Sequence, residues 1–236
     1  MFNYKALLLV LLISAFTIAL VFIGHWTNGV VIVDSLSLSV NKQLLYQSTT
    51  LLAAIVLMLV LRRVKRSTFD EYFRIGHISA AIKPEPWVGI QPKATENWYH
   101  FGRNFAVIIS AVTALVIYFQ LLKGNDLSAG KMVRILPFSM LFALTNSFVE
   151  ESITRLGVVV ALKNVLNDRQ IALVSAVVFG TVHYWGNPGG IAGVLVAGFL
   201  GWLLAKSILE TKGMFWAWLI HFLQDVIIFS ALLSIN

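Results

Sequence analysis

Long apolar blocks separated by short polar stretches run through the whole chain. A block near 20 residues is long enough to cross a bilayer as a helix. Seven such blocks are legible, at about Ala6–Ile23, Leu44–Leu61, Asn104–Leu122, Ile135–Leu162, Gln170–Tyr184, Ile191–Leu209 and Met214–Ser234. The pattern predicts an all-α membrane protein, a polytopic helical bundle of about seven transmembrane helices. The first block follows Lys5 as a signal peptide's would, but it is too long for a typical apolar core. No small-x-small cleavage site follows, so it reads as a retained helix. Residues 25–42 read as a loop. Residues 67–102 form the one long polar segment, and its mixed prolines, aromatics and charges suit the headgroup level. Turns are expected at Gly124-Asn125-Asp126 and at Gly186-Asn187-Pro188-Gly189-Gly190. Gly193, Gly198 and Gly201 in the sixth block would allow a close helix approach.

Composition agrees: 58% of residues are hydrophobic and 12% charged, with a mean hydropathy of +0.81. The net charge of +7 sits at block ends, which fits anionic lipid headgroups rather than nucleic acid. The densest basic cluster, Arg62-Arg63-Val64-Lys65-Arg66, places the end of the second block in the cytoplasm. The N-terminus follows it there by counting back. Lys123, Lys131 and Arg134 fall on the other side and run against that trend. The expected location is a multi-pass protein of a bacterial inner membrane. With no cysteine, disulfides, thiolate metal sites and a cysteine nucleophile are excluded.

The chemistry concentrates where acids stand inside an apolar block. Ionisable groups in hydrocarbon are costly and usually mark a functional site. Glu150 and Glu151 are adjacent, with Arg155 four residues beyond Glu151. On a helix Glu151 and Arg155 share a face and can pair, while Glu150 points about 100° away without a helical partner. Glu150 is then free to act as a general acid or base; the bland alternative is a polar lock that only packs the bundle. His183 follows Phe179 by four residues, and His221 precedes Asp225 by four. Either histidine could be a hydrogen-bonded interface residue, and Asp225 could orient His221 or form a structural bond with it. At roughly 1.5 Å per residue, Glu150, His183 and His221 all fall about 12–20 Å from the inner face, so they can meet at one depth. A glutamate with two histidines supports two chemistries. Glu150, His183 and His221 could hold zinc, or they could activate water without a metal. Ser147 and Ser152 flank the acids, and Ser152 is expected to bond back to a carbonyl of its own helix.

Glu150-Glu151…Arg155, then Phe179…His183, then His221…Asp225, each on a successive apolar block, resembles the CPBP family. That family comprises type II CAAX prenyl endopeptidases and bacterial proteins tied to bacteriocin processing and self-immunity. The resemblance covers about residues 135–230 and includes the glycine-bearing block between the second and third motifs. It implies an intramembrane endopeptidase acting on a membrane-associated or lipidated peptide or protein, with residues 131–236 as the catalytic helical core. Residues 1–130 would supply N-terminal transmembrane helices and the interfacial loop. Carried over residue by residue, Glu150 and His183 would activate water, His221 and Asp225 would form the oxyanion hole, and Glu151 and Arg155 would support the site. Asp225 stands where the prenyl endopeptidases have Asn, and an ionised Asp cannot donate to an oxyanion. Two other classes compete: a non-catalytic immunity or scaffold protein of the same fold, and a small transporter or proton relay. A transporter would be favoured by inverted repeats, and none is visible.

Overall fold

The computed structural model describes residues 4–125, 128–186 and 189–235. Asp126, Asn187 and Pro188 of the two expected turns lie outside the described residues. The elements are α1 (Tyr4–Trp26), α2 (Leu38–Val64), the short α3 (Arg66–Tyr72) and α4 (Trp98–Ile117), which runs into a π-helical turn at Tyr118–Leu122. They continue as α5 (Ala129–Leu162), α6 (Asp168–Val182), α7 (Gly190–Thr211) and α8 (Phe215–Ser234). The all-α polytopic fold is as expected; of the about seven spans expected, six helices among the described residues are long and apolar enough to cross a membrane. The exception is α6. It starts on Asp168-Arg169-Gln170 and breaks into a 3-10 turn at His183–Trp185, leaving 15 helical residues, about 22 Å.

Local chemistry sets several of these boundaries. Ser37 caps α2, and Asn41 in its first turn binds the preceding loop, accepting from Ile32 N at 2.9 Å and Val33 N at 2.8 Å. The helix therefore begins six residues before the apolar block does. Asn167 and Gln170 form a capping box at the start of α6. α6 and α7 cross at glycines: a Cβ on Gly180 would meet Val194 O at 2.7 Å, and one on Gly201 would meet Ala176 Cα at 3.2 Å. Small residues here let the backbones approach.

The polar segment 73–97 folds over the turn between α7 and α8. Met214 N donates to Arg74 O at 2.8 Å, His77 N to Thr211 O at 2.7 Å, and Trp216 Nε1 to Ile78 O at 2.9 Å. Gly76, at φ +85°, lies back to back with Gly213, and a Cβ on either would run into the other's backbone. The buried Lys206 ammonium pairs with Glu210 at 2.5 Å and Glu85 at 3.6 Å, and donates to Lys83 O at 3.0 Å. Lys163 and Lys83 both reach Asp168, at 2.6 and 3.4 Å. The ends of α5 and α7 and the starts of α6 and α8 are thus tied together, with segment 73–97, at the basic end of the bundle. A continuous apolar core runs from Ala6 in α1 to Ile220 in α8.

Candidate active site

Glu150 is the last residue of regular α-helix in α5; a π-helical turn spans Glu151–Leu156 before the helix resumes. Such turns often occur at functional sites. Both acids therefore sit where the helix changes pitch, and they face different surroundings. The Glu151 side chain is fully buried, whereas 18% of the Glu150 side chain is exposed. Arg155 Nη1 lies 3.3 Å from Glu151 Oε1, so the expected pair forms. Arg155 also donates to Thr154 Oγ1 at 2.8 Å and lays its guanidinium on the Phe179 ring, 3.4 Å from the centroid.

Glu151 has a second partner that helix spacing alone does not show. His221 Nδ1 donates to Glu151 Oε1 at 2.8 Å, across 70 residues. The other imidazole nitrogen, Nε2, is 3.5 Å from Glu150 Oε2 and 3.7 Å from Asp225 Oδ1. Glu151, rather than Asp225, therefore orients His221. The His221–Asp225 approach is too long for a hydrogen bond. Asp225 instead accepts from Asn146 Nδ2 at 3.0 Å, and the same nitrogen is 3.2 Å from Glu150 Oε1. Asn146 thus bridges α5 to α8 with its two amide hydrogens. Sequence reasoning assigned it no role, although its position four residues before Glu150 places both on one helix face.

His183 sits where α6 gives way to the 3-10 turn. Its Nδ1 lies 2.9 Å from Phe179 O, so Nδ1–H donates to that carbonyl and Nε2 carries the lone pair. Phe179 packs between the two histidines, 4.2 Å from His183 and 5.9 Å from His221, ring centre to ring centre. Glu150 and His183 line one cavity of about 340 Å³, together with Tyr46 from α2 and Thr154. Ser147 Oγ donates to Ala143 O at 2.6 Å. Ser152 departs from expectation: its buried hydroxyl has no hydrogen-bond partner among the described residues, whereas Thr154 in the same π turn donates back to Glu150 O at 2.7 Å.

The zinc alternative meets a misfit. Among the described residues, no group of three or more His, Cys, Asp or Glu side chains is placed to hold a metal ion.

Residues 132–227 match the family model described as type II CAAX prenyl endopeptidase Rce1-like. No curated protein and no solved structure matches the chain.

Proposed function

Since residues 132–227 are a domain of the Rce1-like CAAX protease family, we propose that this multi-pass membrane protein is an intramembrane endopeptidase. It would cleave a membrane-associated or lipidated peptide with water activated by Glu150 and His183. The observation that carries the reading is that these two side chains, from α5 and α6, line one cavity while His221 stands directly behind Glu150. In this reading residues 131–236 supply the reacting groups, and α1 and α2 wall the cavity.

A water between Glu150 and His183 loses a proton to the Glu150 carboxylate as its oxygen attacks the scissile carbonyl. His183 Nε2, fixed as an acceptor by the Nδ1 bond to Phe179 O, holds the water's second hydrogen. The carbonyl oxygen becomes an oxyanion, and donors aimed at it lower the barrier. Two donors stand nearby. His221 bonds Glu151 through Nδ1 and, when protonated, presents Nε2–H; Asn146 presents its amide. Collapse breaks the C–N bond, and Glu150 returns its proton to the leaving amine. Glu151 and Arg155 touch no reacting atom in this scheme; they hold His221 in place.

The test is purified wild type beside Glu150→Gln in detergent, against quenched prenylated and unprenylated peptides. Loss of turnover in a variant that melts with the wild type is the expected result. Equal turnover in both would sink the mechanism. A Glu150→Gln variant that unfolds early would favour the non-catalytic scaffold reading, in which Glu150 is a packing lock.

A further inference from the structure

Among the described residues, those lining the cavity of Glu150 and His183 lie toward the end of the bundle where α1 ends and α2 begins. Its walls come from the last turns of α1, through Leu20 and Gly24, and the first turns of α2, through Gln43 and Tyr46. Its rim carries His25, Asn28, Lys42 and Gly186, and among these His25, Asn28 and Gly186 are exposed. The exposed Trp185 also lines it, and tryptophans are enriched where a membrane protein meets the membrane–water interface, which sets this end of the cavity at that level. The other end is closed. Below the π turn, every residue of the last stretch of α5, Gly157–Leu162, is buried. Phe69 and Tyr72 of α3 join the core there, and segment 73–97 is hydrogen-bonded across the α7–α8 turn.

The closed end is also the basic end. Lys5, the Arg62–Arg66 cluster, Arg74, Lys83 and Lys93, Lys163 and Arg169, and Lys206 and Lys212 all belong to it. The open end has Lys42, Lys123, Lys131 and Arg134. Lysine and arginine in short loops are retained on the cytoplasmic side, and the excess decides orientation. Catalytic groups roughly midway through the bundle therefore connect to the compartment opposite the one that holds the basic loops.

We propose that the cavity is entered from the extracytoplasmic face, and that the substrate is an exported or outward-facing membrane-associated peptide. A cytoplasmic lipidated C-terminus would meet the sealed basic end. The inference rests on the endopeptidase reading for what the cavity does, but not for where it opens. It changes the expected route: depth alone placed the site within reach of the cytoplasmic face, whereas the path to it runs from the other side.

Because the chain has no cysteine, single cysteines report the mouth directly. Asn28→Cys marks the rim, Gln43→Cys the cavity wall with Gly24→Cys as its second marker, and Ser67→Cys the basic end. Full-length variants expressed in bacterial spheroplasts are treated with a charged, membrane-impermeant thiol reagent before and after lysis. Labelling of the rim and wall positions in intact spheroplasts, with loss of labelling at Ser67→Cys until lysis, is expected. Labelling of Ser67→Cys in intact spheroplasts, with or without the rim, overturns the proposal. So does a labelled rim with both wall positions protected. A second arm presents one membrane-anchored reporter peptide on either face. Cleavage of the outward form alone supports the proposal, and cleavage of the inward form overturns it. Cleavage of neither counts against the endopeptidase reading, while the labelling still decides the route.

Discussion

Removing Arg155 separates a structural role for the Glu151 cluster from a chemical role for Glu150. Arg155→Met keeps most of the side-chain length but deletes the charge. Both side chains of the Arg155–Glu151 pair are fully buried, 3.3 Å apart, and the guanidinium also stacks on Phe179 at 3.4 Å. Breaking a buried ion pair from one side leaves the partner uncompensated and costs about 3–5 kcal/mol. Glu151 keeps His221 Nδ1 at 2.8 Å, which places the loss toward the lower part of that range. For a chain of this length each kcal/mol moves the melting temperature by roughly 2–4 °C, so Arg155→Met should melt about 10 °C low. Thermal unfolding in detergent, followed by tryptophan fluorescence, reads this directly. Glu150→Gln alters a partly exposed side chain and should shift the same transition by less than about 1 kcal/mol, the usual size of a change at a hydrogen bond that can re-form. An Arg155→Met protein that melts with the wild type would refute the lock. A Glu150→Gln protein that melts as low as Arg155→Met would put Glu150 inside the lock and remove it from the chemistry.

Asn146→Asp sets three carboxylates side by side and should abolish turnover on the peptide panel, while the double variant Asn146→Asp with Asp225→Asn, which moves the amide across the bridge, should recover it relative to the single change. Gly102→Ala drives a Cβ into the Trp216 ring, whose Nε1 is tied to Ile78 O at 2.9 Å, so the melting temperature should fall by the equivalent of about 1–3 kcal/mol; an unchanged melt would show that α4 can slide. Burial acts to raise the Asp168 carboxyl, but the ammonium groups of Lys163 and Lys83 prevail and hold it below its ordinary range. A carboxyl lowered by folding stabilises above its unfolded pKa and loses that contribution as pH falls through its folded value. Asp168→Asn should therefore flatten the acid limb of a melting-versus-pH curve, and an identical curve would show that the loop pairing adds nothing.

The helical membrane class was legible because apolar block length is a direct physical requirement of the bilayer. The count of spans was less so. Gln170–Tyr184 is apolar enough to read as a span, yet its capping box at Asn167 and its break at His183 leave a helix too short to cross. The start of α2 was hidden for the opposite reason, since its first turn is polar and is held by Ser37 and Asn41 rather than by apolar residues. At the site, the Glu151–Arg155 pair followed from spacing alone. The His221–Glu151 bond spans two helices 70 residues apart, and no local periodicity encodes it. Asn146 lay in plain view four residues from Glu150. Its second bond, to Asp225, depends on how α8 packs on α5.

That second bond bears on the one place where the chain departs from the prenyl endopeptidase pattern it resembles. An amide at position 225 would offer the oxyanion a donor, whereas Asp225 offers only acceptors when ionised. The bridge between α5 and α8 nevertheless contains one amide and one carboxylate, with the amide carried by Asn146 and the carboxylate by Asp225. Both hydrogens of that amide are directed, one to Asp225 Oδ2 and one to Glu150 Oε1. When Glu150 takes a proton in the proposed first step, its oxygen loses charge and its hold on the amide weakens. The hydrogen facing it then becomes available to the oxyanion that forms at the same moment. An ionised Asp225, by anchoring the other hydrogen, keeps the amide from rotating away. On this argument Asp225 does not replace the missing donor. It fixes the orientation of the donor that stands in for it, and for that reason Asp225→Asn alone, which keeps an acceptor oxygen for Asn146, should be tolerated far better than Asn146→Asp.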